Sequence, residues 1–270
     1  MRKSSFAIAL LASLVAGSCR AAQTAEPFTV RQEGRTLFFA GELKGDAAAA
    51  LYRSLVQPAT ALDTLVINSP GGEGDQVLPI ASAVARAKLK VVVRGMCISA
   101  CTQIFIAGAA KEIEPHSIVS FHSSATSMAE YLKASGLPRG GEVFARVEEA
   151  ERRFYLSLGV DPRLPLVTAA MMKPLCIVED PSRAVADAGR YGIGWQHSTV
   201  ILNHNQLERL GVRNVSGYWP TASALRDDLR GLGFRDAFQP EYDAAASEPP
   251  ANVAAKPLPR CGAAVGRAPA

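Results

Sequence analysis

The chain has 270 residues, 48% of them hydrophobic, which is enough apolar material for one large or two small cores and excludes wholesale disorder. Its formal charge is only +4, with two of the cations, Arg2 and Lys3, in a segment read below as removable, and aromatic residues make up 7% with no basic run interleaved among them. A nucleic-acid partner is therefore not expected, through phosphate neutralisation or through base stacking.

At the N-terminus, Arg2 and Lys3 precede an apolar run from Phe6 to Ala16, followed by the small residues Gly17 and Ser18, the pattern of an export signal. The run falls short of the roughly 20 residues a bilayer span requires, and no later stretch is longer, so no membrane span is expected. Two processing routes are open. Cleavage after Ser18 would leave Cys19 first, in an Ala16-Gly17-Ser18-Cys19 sequence resembling a lipoprotein site with Cys19 as lipid anchor; ordinary cleavage near Ala21 or Ala22 would discard it. Either product is exported, periplasmic or secreted. The domain map is a signal peptide over 1–22, one α/β domain over 23–243 and a Pro- and Ala-rich tail over 244–270, expected to be disordered.

Phe28–Gln32 and Arg35–Phe39, separated by Glu33-Gly34, read as a β-hairpin. A helix follows over 46–57, with Asp46 as its expected cap, then a buried strand over 62–67 that ends in Asn68-Ser69-Pro70-Gly71-Gly72. A helix over 75–88 and a strand over 89–93 complete a crossover unit with parallel pairing. Gly95 marks a sharp turn before a buried helix over 99–107, and 117–122 reads as a third strand. Helices are expected over 127–135 and 141–158. In the second, Glu148, Glu149, Glu151, Arg152 and Arg153 read as a solvated face. Periodicity fails from Pro174 to Val200, which is expected to be an irregular excursion ending in a short strand before a helix over 203–210.

Removing Cys19 leaves Cys97, Cys101, Cys176 and Cys261, an even number suited to an oxidising compartment. Cys97 and Cys101 have no second pair at zinc-site spacing, so a metal is not expected. Residues four apart on a helix point their Cβ vectors along it and bridge only with strain, so Cys101–Cys176 is favoured over Cys97–Cys101. Cys261, in the tail, is left out of that pairing.

Two segments point to chemistry. Gly71 and Gly72, at the C-terminal end of a strand, let the backbone turn tightly and expose N–H donors of the kind a developing oxyanion needs; the Lys and Ser/Thr of a phosphate loop are absent. Gly95-Met96-Cys97-Ile98-Ser99-Ala100-Cys101 places Ser99 between a strand and a helix, beside the N–H of Ala100, where it is either a nucleophile or a plain cap. His122 ends the next strand, and a parallel crossover brings such ends together, so His122 can act as base for Ser99.

With these residues the chain resembles the Clp protease proteolytic subunit and its relatives in the crotonase-like superfamily, especially exported proteins of unassigned role, over roughly residues 28–212. The resemblance is carried by Asn68 to Gly72, by Cys97 to Cys101 with Gly108, by Pro115 before His122, and by Asn203 to Gly211. It implies a repeated β-β-α superhelix with mostly parallel strands, Ser99 as nucleophile, His122 as base, and an oxyanion hole drawn from Gly71, Gly72 and Ala100. The family's aspartate position falls in Trp195 to Thr199, which holds no carboxylate; Glu179 and Asp180 are the nearest upstream acids, and Asp180 is the candidate third residue. Among the other histidines and lysines, His197 has a minor claim as a substitute orienter, His116 and His204 read as surface or hydrogen-bonded residues, and nothing in the positions of Lys111 and Lys173 argues for a lysine base.

The leading expectation is an exported serine hydrolase, a peptidase cleaving peptides or small esters without a cofactor, in which a homo-oligomer is compatible but a tetradecameric chamber is not implied. The alternative is a binding or scaffold protein that retains the fold. A coenzyme A thioester enzyme is disfavoured by export, because that substrate is cytosolic.

Overall fold

A computed structural model describes residues 28–138, 142–179, 191–235, 238–246, 248–250 and 253–262. The signal segment with Cys19, and Asp180, lie outside them. The chain opens with the antiparallel pair β1 (Phe28–Glu33) and β2 (Thr36–Gly41), closed by Gly34 at φ 57°. Then α1 (Gly45–Val56), β3 (Thr64–Ser69), α2 (Gly74–Ala87), β4 (Lys90–Ile98), α3 (Cys101–Ala107), β5 (Ala110–Ile113) and β6 (Ile118–Ser120) follow in the expected strand–helix rhythm. Asp46 lies in the first turn of α1 rather than at its cap, which is Lys44.

The second half contains α4 (Ala125–Ala134), α5 (Glu142–Ser157), α6 (Leu164–Met171), β7 (Pro174–Glu179), β8 (Tyr191–Trp195), β9 (Thr199–Val200), α7 (His204–Arg209), β10 (Val215–Gly217), α8 (Ala222–Gly231) and β11 (Pro240–Glu241). The main sheet runs β1-β2-β3-β4-β5-β10, with β6 also paired to β4. Every pairing in it beyond β1–β2 is parallel, so the architecture is mixed α/β with a mostly parallel sheet, as expected.

Alternation explains the core. Leu37, Phe39, Leu65, Ile67, Val91 and Val93 are buried on one face of the sheet, against Leu51 and Leu55 of α1, Val77, Ile80 and Val84 of α2, and Ile104 and Phe105 of α3. A register shift between Ile67 and Ser69, where Ser69 comes opposite Cys97, coincides with Gly95 at φ 99° in β4. The first part of β4 pairs with β5 and its last three residues pair with β6. The bend turns the strand ends that carry Ser69 and Ile98 toward the same place.

Three expectations are corrected. The stretch from Pro174 to Val200 is not irregular throughout: β7 and β8 form an antiparallel pair, with Ile177 opposite Ile193. Hydrophobic alternation there was masked by Gly192 and Gly194, which carry no side chain to read. The favoured Cys101–Cys176 bridge does not form; the disulfides are Cys97–Cys101 and Cys176–Cys261. Cys97 belongs to β4 and Cys101 to α3, so the two are not one helical turn apart, and the reversal between them brings their Cα atoms to 5.2 Å. Within the stretch read as a disordered tail, residues 259–261 lie against β7, where Ile177 N–H donates to Pro259 O and Cys261 N–H to Ile177 O.

Candidate active site

The turn after β3 is fixed by its own backbone. Leu43 N–H donates to Gly71 O at 2.6 Å and Glu73 N–H donates to Leu43 O at 3.1 Å, seating Gly72 against Leu43 as in a parallel bridge. A Cβ on Gly72 would stand 2.0 Å from Leu43 O, so only glycine fits. Gly71 does a different job from the one expected of it. Its N–H donates to Ser69 Oγ at 3.1 Å and is unavailable to an oxyanion, while its missing Cβ makes room for Ser99, whose Cβ would be 2.5 Å away.

Ser99 sits at φ 60°, in the left-handed region that a non-glycine residue enters at a cost. Three contacts hold it there: its N–H donates to Ser120 O at 3.0 Å, and its carbonyl accepts from Thr102 N–H at 2.9 Å and Thr102 Oγ1 at 2.7 Å. The Cys97–Cys101 disulfide spans the same turn, with both cysteines fully buried. The half-buried Ser99 side chain faces a cavity of about 200 Å³ that His122, Gly72 and Ala100 also line. Among the described residues neither Gly72 N–H nor Ala100 N–H has an acceptor.

His122 follows β6, two residues beyond Ser120. It is positioned by Phe121, which exchanges backbone hydrogen bonds with Val200 of β9 at 2.8 and 2.7 Å. Its Nδ1 lies 2.8 Å from Ser123 O, and since a carbonyl only accepts, Nδ1 carries the proton and Nε2 is left as the base. The ring edge remains open to solvent, but the protein around it disfavours the imidazolium and holds its pKa below the ordinary histidine value. No hydrogen bond joins Ser99 Oγ to the ring among the described residues. Within the stretch Trp195 to Thr199, the Thr199 hydroxyl bonds to Phe121 O and Ser120 Oγ.

One carboxylate does line this cavity, and it is Glu151 of α5. It is 2% exposed, which corrects its reading as part of a solvated face. Burial raises its pKa, against the opposing pull of hydrogen bonds from Thr126, Ser124 and Gln103. A sequence signal for it exists: Val147, Glu151, Phe154 and Leu158 recur at helical spacing on one stripe, and Glu151 takes an apolar position in that stripe, while Arg152 and Arg153 point outward to Glu149.

The remaining candidates lie elsewhere. His197 Nε2 is 2.8 Å from Glu241 and lines a separate cavity with Arg226 and Tyr242, so it does not orient His122. His116 bonds Asp228 at 2.7 Å, and His204 packs edge-on against Trp219. Lys111 is buried at the opposite end of the sheet, bonded to Gly108 O and Arg213 O, and burial lowers its pKa to about 8. Lys173 is exposed, 3.7 Å from Glu241. Among the described residues, no group of three or more His, Cys, Asp and Glu is arranged to hold a metal, and no helix is long and apolar enough to cross a membrane.

The Clp protease family model matches residues 20–155, half of the chain and the half that carries Ser99, His122 and Glu151. Among solved structures, ClpP1 from Listeria monocytogenes is 18% identical, with a TM-score of 0.41, covering 70% of this chain and 94% of that one. A protein assigned as an enoyl-CoA hydratase from Rhodopseudomonas palustris is 14% identical with a TM-score of 0.30; 35% of this chain is covered, and it spans 48% of the hydratase. No curated protein matches the chain.

Proposed function

The chain belongs to the Clp protease family, and on that premise we propose that it is an exported serine hydrolase that cleaves peptides or small esters by acyl transfer through Ser99 and His122. Ser99 Oγ attacks the substrate carbonyl while His122 Nε2 takes its proton. The N–H groups of Gly72 and Ala100 stabilise the oxyanion that forms. His122 then returns the proton to the departing amine or alcohol as the acyl–Ser99 ester is completed. Water, deprotonated by the same imidazole, hydrolyses that ester and restores the serine. The Ser123 carbonyl takes over the orienting role of the usual carboxylate. It fixes the tautomer but adds no charge to stabilise the imidazolium, so turnover is slow; losing the acid from a Ser-His-Asp site costs about four orders of magnitude. Export is supported by the Arg2-Lys3 and Phe6–Ala16 pattern and by two disulfides.

The observation that carries this reading is Ser99 held in a left-handed turn on the same cavity as His122 and two N–H donors that no described residue occupies. Treatment of the full chain with a fluorophosphonate should modify Ser99 alone, and Ser99→Ala or His122→Ala should abolish the label while leaving the thermal transition nearly unchanged. Equal labelling of Ser99→Ala would overturn it. The absence of a hydrogen bond between Ser99 and the imidazole favours the second reading, a binding protein on the same fold, which forecasts no label and no turnover.

A further inference from the structure

The cavity that Ser99 and His122 line has a polar wall that neither the oxyanion hole nor the proton transfer uses. It is built by Gln103 of α3 and Glu151 of α5, which are 6% and 2% exposed. Glu151 Oε2 accepts three hydrogen bonds, from Ser124 Oγ at 2.9 Å, from Thr126 N–H at 3.3 Å and from Thr126 Oγ1. Its other oxygen, Oε1, accepts only from Gln103 Nε2 at 3.0 Å and keeps a free lone pair. Gln103 turns its amide nitrogen toward Glu151 and the buried Tyr155 hydroxyl, which also lines the cavity, and this leaves Gln103 Oε1 buried without a donor among the described residues. Buried acceptors without donors are rare and costly, and a carboxylate in such surroundings normally has a cationic partner. Among the described residues no Lys or Arg pairs with Glu151. Two incompletely filled acceptors, one of them on a buried carboxyl group, thus meet at a cavity that opens onto a serine.

We propose that this wall is a specificity pocket for a substrate group ending in an ammonium ion, such as the side chain of a lysine whose carbonyl is presented to Ser99. The ammonium offers three donors and one positive charge, which complement Gln103 Oε1 and Glu151 Oε1. A cavity of about 200 Å³ admits a straight four-carbon ammonium chain and leaves little room beyond it. The inference rests on the hydrolase reading for its account of turnover; recognition of the ammonium group itself does not.

The test compares the p-nitrophenyl esters of N-acetyl-lysine and N-acetyl-norleucine, which differ only by the ammonium group, on the full disulfide-bonded chain. The lysine ester should be favoured in kcat/KM by at least about tenfold, because a site built to hydrogen-bond a polar group rejects an analogue that lacks it. Glu151→Gln should erase the preference while fluorophosphonate labelling of Ser99 persists. Gln103→Met, which removes the orphaned oxygen and leaves the bonds to Ser124 and Thr126 in place, should raise the norleucine rate and lower the lysine rate even if Glu151→Gln folds poorly. Calorimetric titration of Ser99→Ala with n-pentylammonium and with n-pentanol reads recognition without catalysis and should show the ammonium binding more tightly. Labelling of Ser99 with equal ester rates and equal binding would overturn the pocket and spare the hydrolase. Tighter ammonium binding in a chain that no fluorophosphonate labels would support the pocket and overturn the hydrolase.

Discussion

Replacing Ser99 by glycine should stabilise the protein relative to replacing it by alanine, the reverse of what the same pair does in a helix. Ser99 holds φ at 60°, and its Oγ makes no hydrogen bond among the described residues, so either variant removes the hydroxyl without breaking a contact. Alanine keeps the Cβ that the left-handed region disfavours by about 1–2 kcal/mol. Glycine is free of that cost but loses about 0.5–1 kcal/mol more backbone entropy on folding. The difference leaves glycine ahead by roughly 0.5–1 kcal/mol, or about 1–4 °C in Tm for a domain of this size. Ala49→Gly supplies the internal reference: Ala49 is exposed within α1, and glycine there should cost about 1 kcal/mol. Urea midpoints measured with both disulfides intact read the two signs side by side. If Ser99→Ala is as stable as Ser99→Gly while Ala49→Gly shows its ordinary loss, the turn does not store the strain assigned to it.

Three further outcomes are expected. Because burial disfavours the charged imidazole of His122, kcat/KM should hold its plateau into mildly acid solution and fall only below the pKa of an unstructured histidine; a midpoint above that value would contradict the placement of the ring. Asp180→Asn should change kcat little if the Ser123 carbonyl orients His122, whereas a loss as severe as that of His122→Ala would restore Asp180 as the third catalytic residue. Peptide mapping without reduction should recover Cys97 joined to Cys101 and Cys176 joined to Cys261, with Cys101–Cys176 absent. From loop closure alone, the bridge with a sequence separation of 85 contributes about 4.5 kcal/mol and the one with a separation of 4 about 2 kcal/mol, so Cys261→Ser should lower the urea midpoint more than Cys101→Ser.

The parallel sheet was legible because its strands are short β-branched runs punctuated by glycine and proline, and because helical periodicity resumes between them. Ser99 and His122 could be placed together on topology alone, since both terminate strands joined by one crossover. What escaped has particular causes. Glu151 is flanked by charged neighbours, and the run hides that every fourth position belongs to the apolar stripe. The Cys97–Cys101 bridge was discounted by assuming both residues to be helical, when a single left-handed residue between strand and helix makes the bridge geometrically ordinary. Gly71 was credited with a donor that Ser69 Oγ already occupies, a local bond that no spacing rule reports.

The Cys176–Cys261 bridge also determines how the chain responds to being cut. Residues 177–260 form a closed loop anchored at β7, and residues 259–261 lie back along the strand from which the loop departs. A protease that severs one exposed bond anywhere within this span yields two polypeptides that remain joined and migrate as one until a reductant is added. Both pieces would thus stay tethered through β7 after nicking, and the cut would not show as a change in apparent size in any separation run without a reductant.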